Sequence, residues 1–415
     1  MNKTYILLIV FIFLTLVEVY AYQALRAISS KWSKKWKRSL NLLYTLFSTI
    51  IIAIFLQYNF GDRNFLGKGI QRFLLFLIFM NLLAKLFMII FLLIDDFRRG
   101  VKWLLSKVHP KKKSLSKSKM SRSEFLAKSG MAMASIPLVS MSWGIVSGAH
   151  DYRIRKVKIR IKKLSSALEG LKIAQISDIH AGSFWNKTAV KGGVEMLMNE
   201  KAELIFFTGD LVNNRASEMS EWISVFSKIQ APLGVYSVLG NHDYGDYVSW
   251  KNKAAKVKNL NELIAIQQNM GWSLLANEHR VLRVGNETLG IIGVENWSNK
   301  ARFPKYGNLS LASKGMEPTS LNILLSHDPS HWKAEVLPQY PQIELTLSGH
   351  THGMQFGVDI PGFKWSPVQY LYNEWAGLYS QNLQHLYVNR GFGYIGYPGR
   401  IGILPEITIF ELEKK

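Results

Sequence analysis

Three apolar runs near the start of the chain, residues 5–20 with extensions at both ends, 40–60 and 73–94, constrain most strongly what it can fold into. Each is long enough to cross a hydrocarbon core, which takes about 20 residues of helix. Inside lipid a segment must satisfy its own backbone polar groups, so helix is the expected form. A removable leader is a poor reading of the first run, because no short basic segment precedes it and two more runs follow. A fourth stretch, 129–149, is free of charge but mixes Ala, Gly, Ser and Met among its apolar residues. It is expected to be a fourth span, the alternative being a helix that lies on the membrane surface or packs on a domain. It opens within SRSEFLAKSGMAMASIPLVS, which resembles a twin-arginine export signal with Ser123 where the second arginine belongs.

Loop charge orients these spans. Between the first two lie Arg26, Lys31, Lys34, Lys35, Lys37 and Arg38, the next loop holds little beyond Arg63 and Lys68, and after the third come Arg98, Arg99, Lys111, Lys112, Lys113, Lys117, Lys119 and Arg122. The positive-inside rule puts both basic loops in the cytoplasm, and a fourth crossing puts everything after it outside. The first 150 residues hold 22 Lys/Arg and 5 Asp/Glu of the chain's 51 and 29. The cationic excess therefore flanks apolar spans, which points to membrane lipids as partners and away from nucleic acid. Ionisable groups are costly in lipid. Glu18 and Lys85 lie at matching depth in the first and third spans, which run parallel, and are predicted to pair. The alternative is a snorkelling Lys85 with a protonated Glu18.

From residue 150 to 415 both charge signs mix and aromatics scatter, as in a globular domain with one sizeable core. Five short apolar, β-branched runs end in a small residue followed at once by a candidate ligand: KIAQIS then Asp178, LIFFTG then Asp210, VYSVLG then Asn241, NILLS then His327, and LTLSG then His350. Strands this apolar belong to sheets covered on both faces. Ligands at their C-terminal ends share the crevice in which α/β sheets bind substrates. The small residue lets the chain turn sharply toward that crevice. Helices are predicted at 188–199, 217–229 and 250–270.

With no cysteine in the chain, a metal here must be held by nitrogen and oxygen. Asp178 and His180, two residues apart at a strand end, can grip one cation. Asp210 has two carboxylate oxygens and could bridge a pair, Asn241 offers an amide oxygen, and His327, His350 and His352 offer imidazoles. Such a set suits Mn, Fe or Zn.

In this order SDIHAG (177–182), GDLV (209–212), GNHD (240–243), SHD (326–328) and GHTHG (349–353) resemble the five blocks of the calcineurin-like metallophosphoesterases, over about residues 171–410. KIAQISDIH, GNHDYG, GHTHG-x-Q and RIGILPEI (400–407) are similar to a bacterial membrane-associated branch that includes enzymes acting on a nucleotide-linked lipid sugar. Met354 stands where that branch usually has a second glycine, and only a modest local effect on the loop is expected. The resemblance implies an α/β fold, a four-layer α/β/β/α sandwich at 150–415, preceded by a three-helix transmembrane region at 1–128 and the fourth helix at 129–149. It also implies two divalent or trivalent ions, one on Asp178, His180 and His352, the other on Asn241, His327 and His350, with Asp210 between them. His242 looks like the family's non-ligand histidine, placed to steady phosphoryl oxygens or protonate the leaving group, with Asp243 to orient it.

The implied activity is hydrolysis of a phosphodiester, phosphomonoester or pyrophosphate at the inner membrane of a bacterium, with the catalytic domain outside and a substrate that is phosphorylated and membrane-associated. A cytoplasmic-facing lipid-sugar nucleotide pyrophosphatase is the alternative. A non-catalytic binding protein is a third reading, opposed by the presence of all seven ligands. Arg390 and Arg400 would either reach phosphate or brace a loop. Trp185, Tyr244, Tyr247 and Trp250 would either line a substrate groove or pack.

Overall fold

A computed structural model describes residues 3–61, 68–108, 122–162 and 164–415. Of the basic residues used above, Arg63, Lys111, Lys112, Lys113, Lys117 and Lys119 lie outside the described residues. The chain divides into two compact units, Met1–Ser142 and Trp143–Lys415.

The predicted spans fall in four long helices: α1 (Lys3–Ile28), α2 (Lys34–Phe60), α3 (Lys68–Val108) and α4 (Arg122–Val146). Each has a stretch long and apolar enough to cross a membrane. Helix α3 runs 41 residues, about 60 Å, well past the apolar run that announced it. Ion pairs from Asp95 to Arg98 and Arg99, one turn on, carry the helix through its basic flank. Small side chains let the helices of this unit approach closely: Ala21 and Ala24 of α1, Ala84 of α3 and Ala127 and Ala134 of α4 are buried together.

Glu18 and Lys85 do pair, both almost fully buried. The Lys85 ammonium and the Ser48 hydroxyl donate to Glu18 Oε2, Asn81 Nδ2 donates to Oε1 at 2.9 Å, and Tyr44 OH donates to the Glu18 carbonyl at 2.7 Å. The ammonium also sits 4.9 Å from the Tyr44 ring centre. It does not snorkel.

The second unit holds two six-stranded sheets. Across the first run β1 (Arg153–Ile161), β14 (Glu406–Lys414), β2 (Lys172–Ile176), β3 (Leu204–Phe207), β4 (Val235–Ser237) and β5 (Trp272–Leu274). Across the second run β12 (Gly377–Gln381), β13 (Gln384–Val388), β9 (Leu345–Ser348), β8 (Leu321–Leu325), β7 (Glu287–Gly293) and β6 (Glu278–Val284). A separate hairpin joins β10 (Val358–Ile360) to β11 (Phe363–Trp365).

Alternation along the strands explains the layers. Leu204 and Phe206 of β3 meet Ile323, Leu325, Leu345 and Leu347 of the other sheet in a core between the sheets. Ile205 and Phe207 point the other way, into a core with Val190 and Val194 of α5 (Lys187–Asn199) and Leu263 of α7 (Lys253–Asn269). On the far side, Leu324, Leu386 and Val388 pack with Leu309 and Ala312 of α8 (Leu309–Ala312) and with Trp332. The result is the expected four-layer sandwich. Helices α5 and α7 match two predicted helices, each capped by an asparagine, Asn186 or Asn252, that accepts from the amide three residues on.

The helix predicted at 217–229 does not form as one piece. A 3-10 turn (Ala216–Met219) and α6 (Ile223–Phe226) replace it. Its apolar residues Met219, Trp222, Val225 and Phe226, and Ile229 recur mainly at steps of three, and each is buried. Bonds from i to i−3, Trp222 to Met219, Val225 to Trp222 and Ile229 to Phe226, interrupt the i to i−4 bonds of Phe226 and Ser227, so the segment winds as short tight turns that still bury these residues.

Candidate metal centre

All five strand ends named in the sequence converge, three from the first sheet and two from the second. Past three of them the backbone bends so hard that Asp178, Asp210, His350, and also His180 and His352, take φ between 49° and 70°. Side chains larger than glycine rarely accept that region, at a cost of about 1–3 kcal/mol each. The small residues before the ligands are needed for close approach. A Cβ on Gly209 would come within 2.6 Å of the Gly240 amide nitrogen, and one on Gly349 would strike the Asp178 carboxylate.

Two clusters result, Asp178 with His180 and His352, and Asp210 with His327 and His350. In the first, His352 Nε2 lies 3.2 Å from Asp178 Oδ1 and 3.0 Å from His180 Nε2. In the second, His350 Nδ1 lies 3.3 Å from His327 Nε2. Asp210 Oδ2 stands between them, 3.2 Å from His327 Nε2 and 3.5 Å from His180 Nε2. The clusters fit cations by their unmet demand. Among the described residues Asn241 Oδ1 is buried without a partner, while its Nδ2 donates to Tyr247 OH at 2.9 Å. Burial opposes ionisation of Asp178 and Asp210, but the surrounding imidazoles prevail and hold both carboxyls well below their usual range. Against its own burial, His327 is raised to about 10 by Asp210. A proton is drawn to where a metal would compensate the same charge.

Outside the cage, partners fix which imidazole nitrogen faces in. His327 Nδ1 donates to the Thr208 carbonyl at 2.7 Å, and His350 Nε2 meets Tyr372 OH at 2.9 Å, which in turn donates to Asp328 Oδ2 at 3.2 Å. Such outer contacts set tautomer and ring orientation. Asp328 follows His327 directly, a signal that could have been read. Tyr372 carries no such mark.

His242 lines the cleft over the cage. Its backbone N–H donates to Asp210 Oδ1 at 2.8 Å, and its Nδ1 bonds the Asn213 carbonyl at 2.8 Å. Among the described residues the Asp243 carboxylate bonds backbone amides and not the His242 imidazole. Fully buried, the Asp243 carboxylate accepts from the amides of Asp210, Leu211, Val212 and Gly240 at 2.8–3.2 Å and ties the Asp210 loop to the Asn241 loop. Nothing remains for the imidazole.

Arg390 and Arg400 are bracing residues. Arg390 Nη1 donates to Glu406 at 2.6 Å, and Arg400 donates to the carbonyls of Arg390 at 2.8 Å, of Gly391 at 3.1 Å and, through Nε, of Gly393 at 2.9 Å, with His352 Nδ1 3.2 Å away. Arg302, which carries no motif, does line the cleft, with its guanidinium 4.5 Å from the Phe303 ring centre. The cleft has a volume of about 190 Å³, and Phe303, Met354, Val368, Leu371 and Ile395 give it an apolar wall. Of the four aromatics considered, Tyr247 holds Asn241 and lies 4.6 Å from the His242 ring centre. Tyr244 is buried against Glu295, Trp250 donates to the Gly245 carbonyl, and Trp185 packs near His150, so none of these three lines the cleft. Met354 keeps the left-handed backbone that its glycine counterpart would adopt, with φ 52°, and leaves the neighbouring cluster intact.

Residues 171–354 match the model of the calcineurin-like phosphoesterases, and residues 2–149 match that of a transmembrane domain of probable calcineurin-like phosphoesterases. An uncharacterized metallophosphoesterase of Bacillus subtilis, YkuE, is 30% identical over 71% of this chain and 98% of its own length. A transmembrane protein with metallophosphoesterase domain from Danio rerio is 30% identical over 67% of this chain, which spans 61% of the fish protein. A UDP-2,3-diacylglucosamine pyrophosphatase of Chlamydia trachomatis, LpxG, is 27% identical over 62% of this chain and 88% of its own. With four apolar helices followed by a sandwich that carries these two candidate metal clusters, the chain belongs to the calcineurin-like metallophosphoesterases and is a membrane-anchored member of them.

Proposed function

We propose that this chain hydrolyses a phosphoester or phosphoanhydride with two metal ions, Mn, Fe or Zn, and that its substrate is an amphiphile of the membrane. The observation that carries the reading is the position of Asp210 Oδ2 between two clusters of candidate metal ligands. Asp178, His180 and His352 would hold one ion, Asn241, His327 and His350 the other, and Asp210 both. Two ions so placed supply Lewis acidity and a nucleophilic water at neutral pH.

The chain's own residues do the rest. His242 is held through Nδ1 by the Asn213 carbonyl, so Nε2 is free to carry a proton toward the departing oxygen. Arg302 offers a fork of donors to the phosphoryl oxygens from across the cleft. The apolar wall accepts the hydrophobic part of the substrate and excludes water beside the reacting phosphorus. The basic loops favour a bacterial inner membrane with the catalytic unit outside.

Full-length protein with Mn²⁺ should hydrolyse an aryl phosphodiester, and Asp210→Asn and His242→Ala should each lose that activity. Unchanged turnover in both would sink the reading. The Chlamydia relative, named a UDP-2,3-diacylglucosamine pyrophosphatase, favours a second one, a lipid-sugar nucleotide pyrophosphatase, which would face the cytoplasm if residues 129–149 do not cross. A C-terminal reporter that matures on only one side of the membrane separates the two.

A further inference from the structure

The hairpin of β10 and β11 is built the wrong way round for a surface in water. Its register pairs Val358 with Trp365, Asp359 with Lys364 and Ile360 with Phe363. Because side chains alternate along a strand, Val358, Ile360, Phe363 and Trp365 share one face, and Asp359 and Lys364 share the other. The polar face is the one turned toward the catalytic unit. Arg390 Nε lies 3.0 Å from Asp359 Oδ2 in an ion pair, Arg155 pairs with the same carboxylate, and the Lys364 ammonium donates to the Ala376 carbonyl. The apolar face is left outside, with Ile360 58% and Phe363 55% exposed.

That surface continues past the hairpin. Phe356 packs edge-on against Trp365 with ring centres 6.4 Å apart, and Tyr370, bonded to Trp365, is 75% exposed. Met354 and Leu371, each nearly half exposed, also form the rim of the catalytic cleft. An outward apolar surface of this kind marks an interaction site. Aliphatic and aromatic side chains without an unpaired carboxylate suit the boundary between water and lipid. The chain supplies that boundary itself, and the link from α4 to β1 covers only residues 147–152, about 20 Å at full extension.

We propose that the outer face of this hairpin, with Tyr370, docks on the lipid surface of the bilayer that holds the helices. The apolar part of a substrate bound over the cage then passes Met354 and Leu371 directly into lipid. The docking rests on membrane anchorage alone, and the path of the substrate rests on the function proposed above.

With no cysteine in the chain, single substitutions report cleanly. Full-length protein in nanodiscs of phosphatidylcholine and phosphatidylglycerol would carry Ile360→Cys or Phe363→Cys labelled with an environment-sensitive fluorophore. Both labels should emit to the blue and be quenched several-fold by lipids brominated near the head of the acyl chain. A label at Val257→Cys, as exposed but on α7, should show neither effect. The same response at all three positions, or quenching of the hairpin labels by aqueous iodide instead of lipid, would overturn the docking. Self-quenching that grows with protein concentration in detergent would overturn it too, by assigning the face to a second copy. For the substrate path, Ile360→Asp with Phe363→Asp should slow turnover of a phosphorylated lipid several-fold in the same nanodiscs and spare that of a soluble aryl phosphodiester. Equal loss on both substrates counts against the path. A wild-type protein inactive on both defeats the proposed function and leaves the labels to decide the docking.

Discussion

Two buried polar clusters in this chain are opposites. Around Glu18 every demand is answered: the carboxylate accepts from Lys85, Ser48 and Asn81, and the ammonium has a carboxylate and an aromatic face. In the catalytic unit, Asn241 Oδ1 has no partner among the described residues, two imidazole nitrogens face each other at 3.0 Å, and five of the seven proposed ligands hold a left-handed backbone. The difference teaches how to read a buried polar group. One that finds its partners within the chain holds a fold together, whereas one denied them, in a backbone that costs energy to keep, is shaped for something the chain does not supply.

The sharpest way to break this contrast is at Asp210. Asp210→Asn keeps the shape and the acceptor for the His242 amide but removes the charge that both clusters share. Turnover of an aryl phosphodiester should fall by about 10³ or more, roughly 4 kcal/mol on the barrier. The thermal midpoint without metal should fall only modestly, because the charge removed is the partner of the His327 imidazole, which can then shed its proton. A large loss of metal-free stability would mean that the cage is structural and the comparison false.

The same operation on the saturated cluster should give the reverse result. Lys85→Leu leaves a carboxylate alone in the helix unit, and Glu18→Gln leaves an ammonium there. Either should cost about 3–5 kcal/mol in a detergent unfolding titration, with turnover per folded molecule unchanged. Replacing both by Leu should recover most of the loss. If Glu18→Gln destabilises and Lys85→Leu does not, the pair is not the unit that matters.

Legibility in the sequence follows the same division. The ligands could be read because each stands just past an apolar strand and a small residue, a one-dimensional trace of a three-dimensional crevice. Glu18 and Lys85 could be matched because helices in a bilayer share one depth scale. Residues that act through folded contacts left less. Asp243 sits beside a proposed ligand, yet its bonds go to amides 31 to 33 residues back in the chain as well as to Gly240. No spacing announces that. Arg302 and Tyr372 reach the site from connecting segments, and the segment at 217–229 looked helical because steps of three and of 3.6 coincide over a short stretch.

Tyr372 offers a finer test, since it belongs to both kinds of cluster: its hydroxyl is satisfied by Asp328 and His350, and it orients one proposed ligand. Tyr372→Phe should weaken metal binding by about 10- to 100-fold, read by Mn²⁺ titration of activity. Turnover should return at saturating metal. A loss that excess metal does not restore would place the hydroxyl on the substrate instead.

The smallest expected effect is at Met354, where strain exists without a ligand. Its φ of 52° matches those of the ligands beside it, but its side chain is 44% exposed and bonds nothing in the cage. Met354→Gly removes a left-handed cost of about 1–2 kcal/mol and adds back about 0.5–1 kcal/mol of unfolded-chain entropy, so a gain near 1 kcal/mol in stability is expected. Metal affinity should not change. Turnover of a soluble diester should hold while that of a lipid substrate falls slightly, because the methionine rims the cleft on the side of the apolar hairpin. A stability loss would show that strain at this position is already offset by packing, and that left-handed backbone by itself does not separate the proposed ligands from their neighbours.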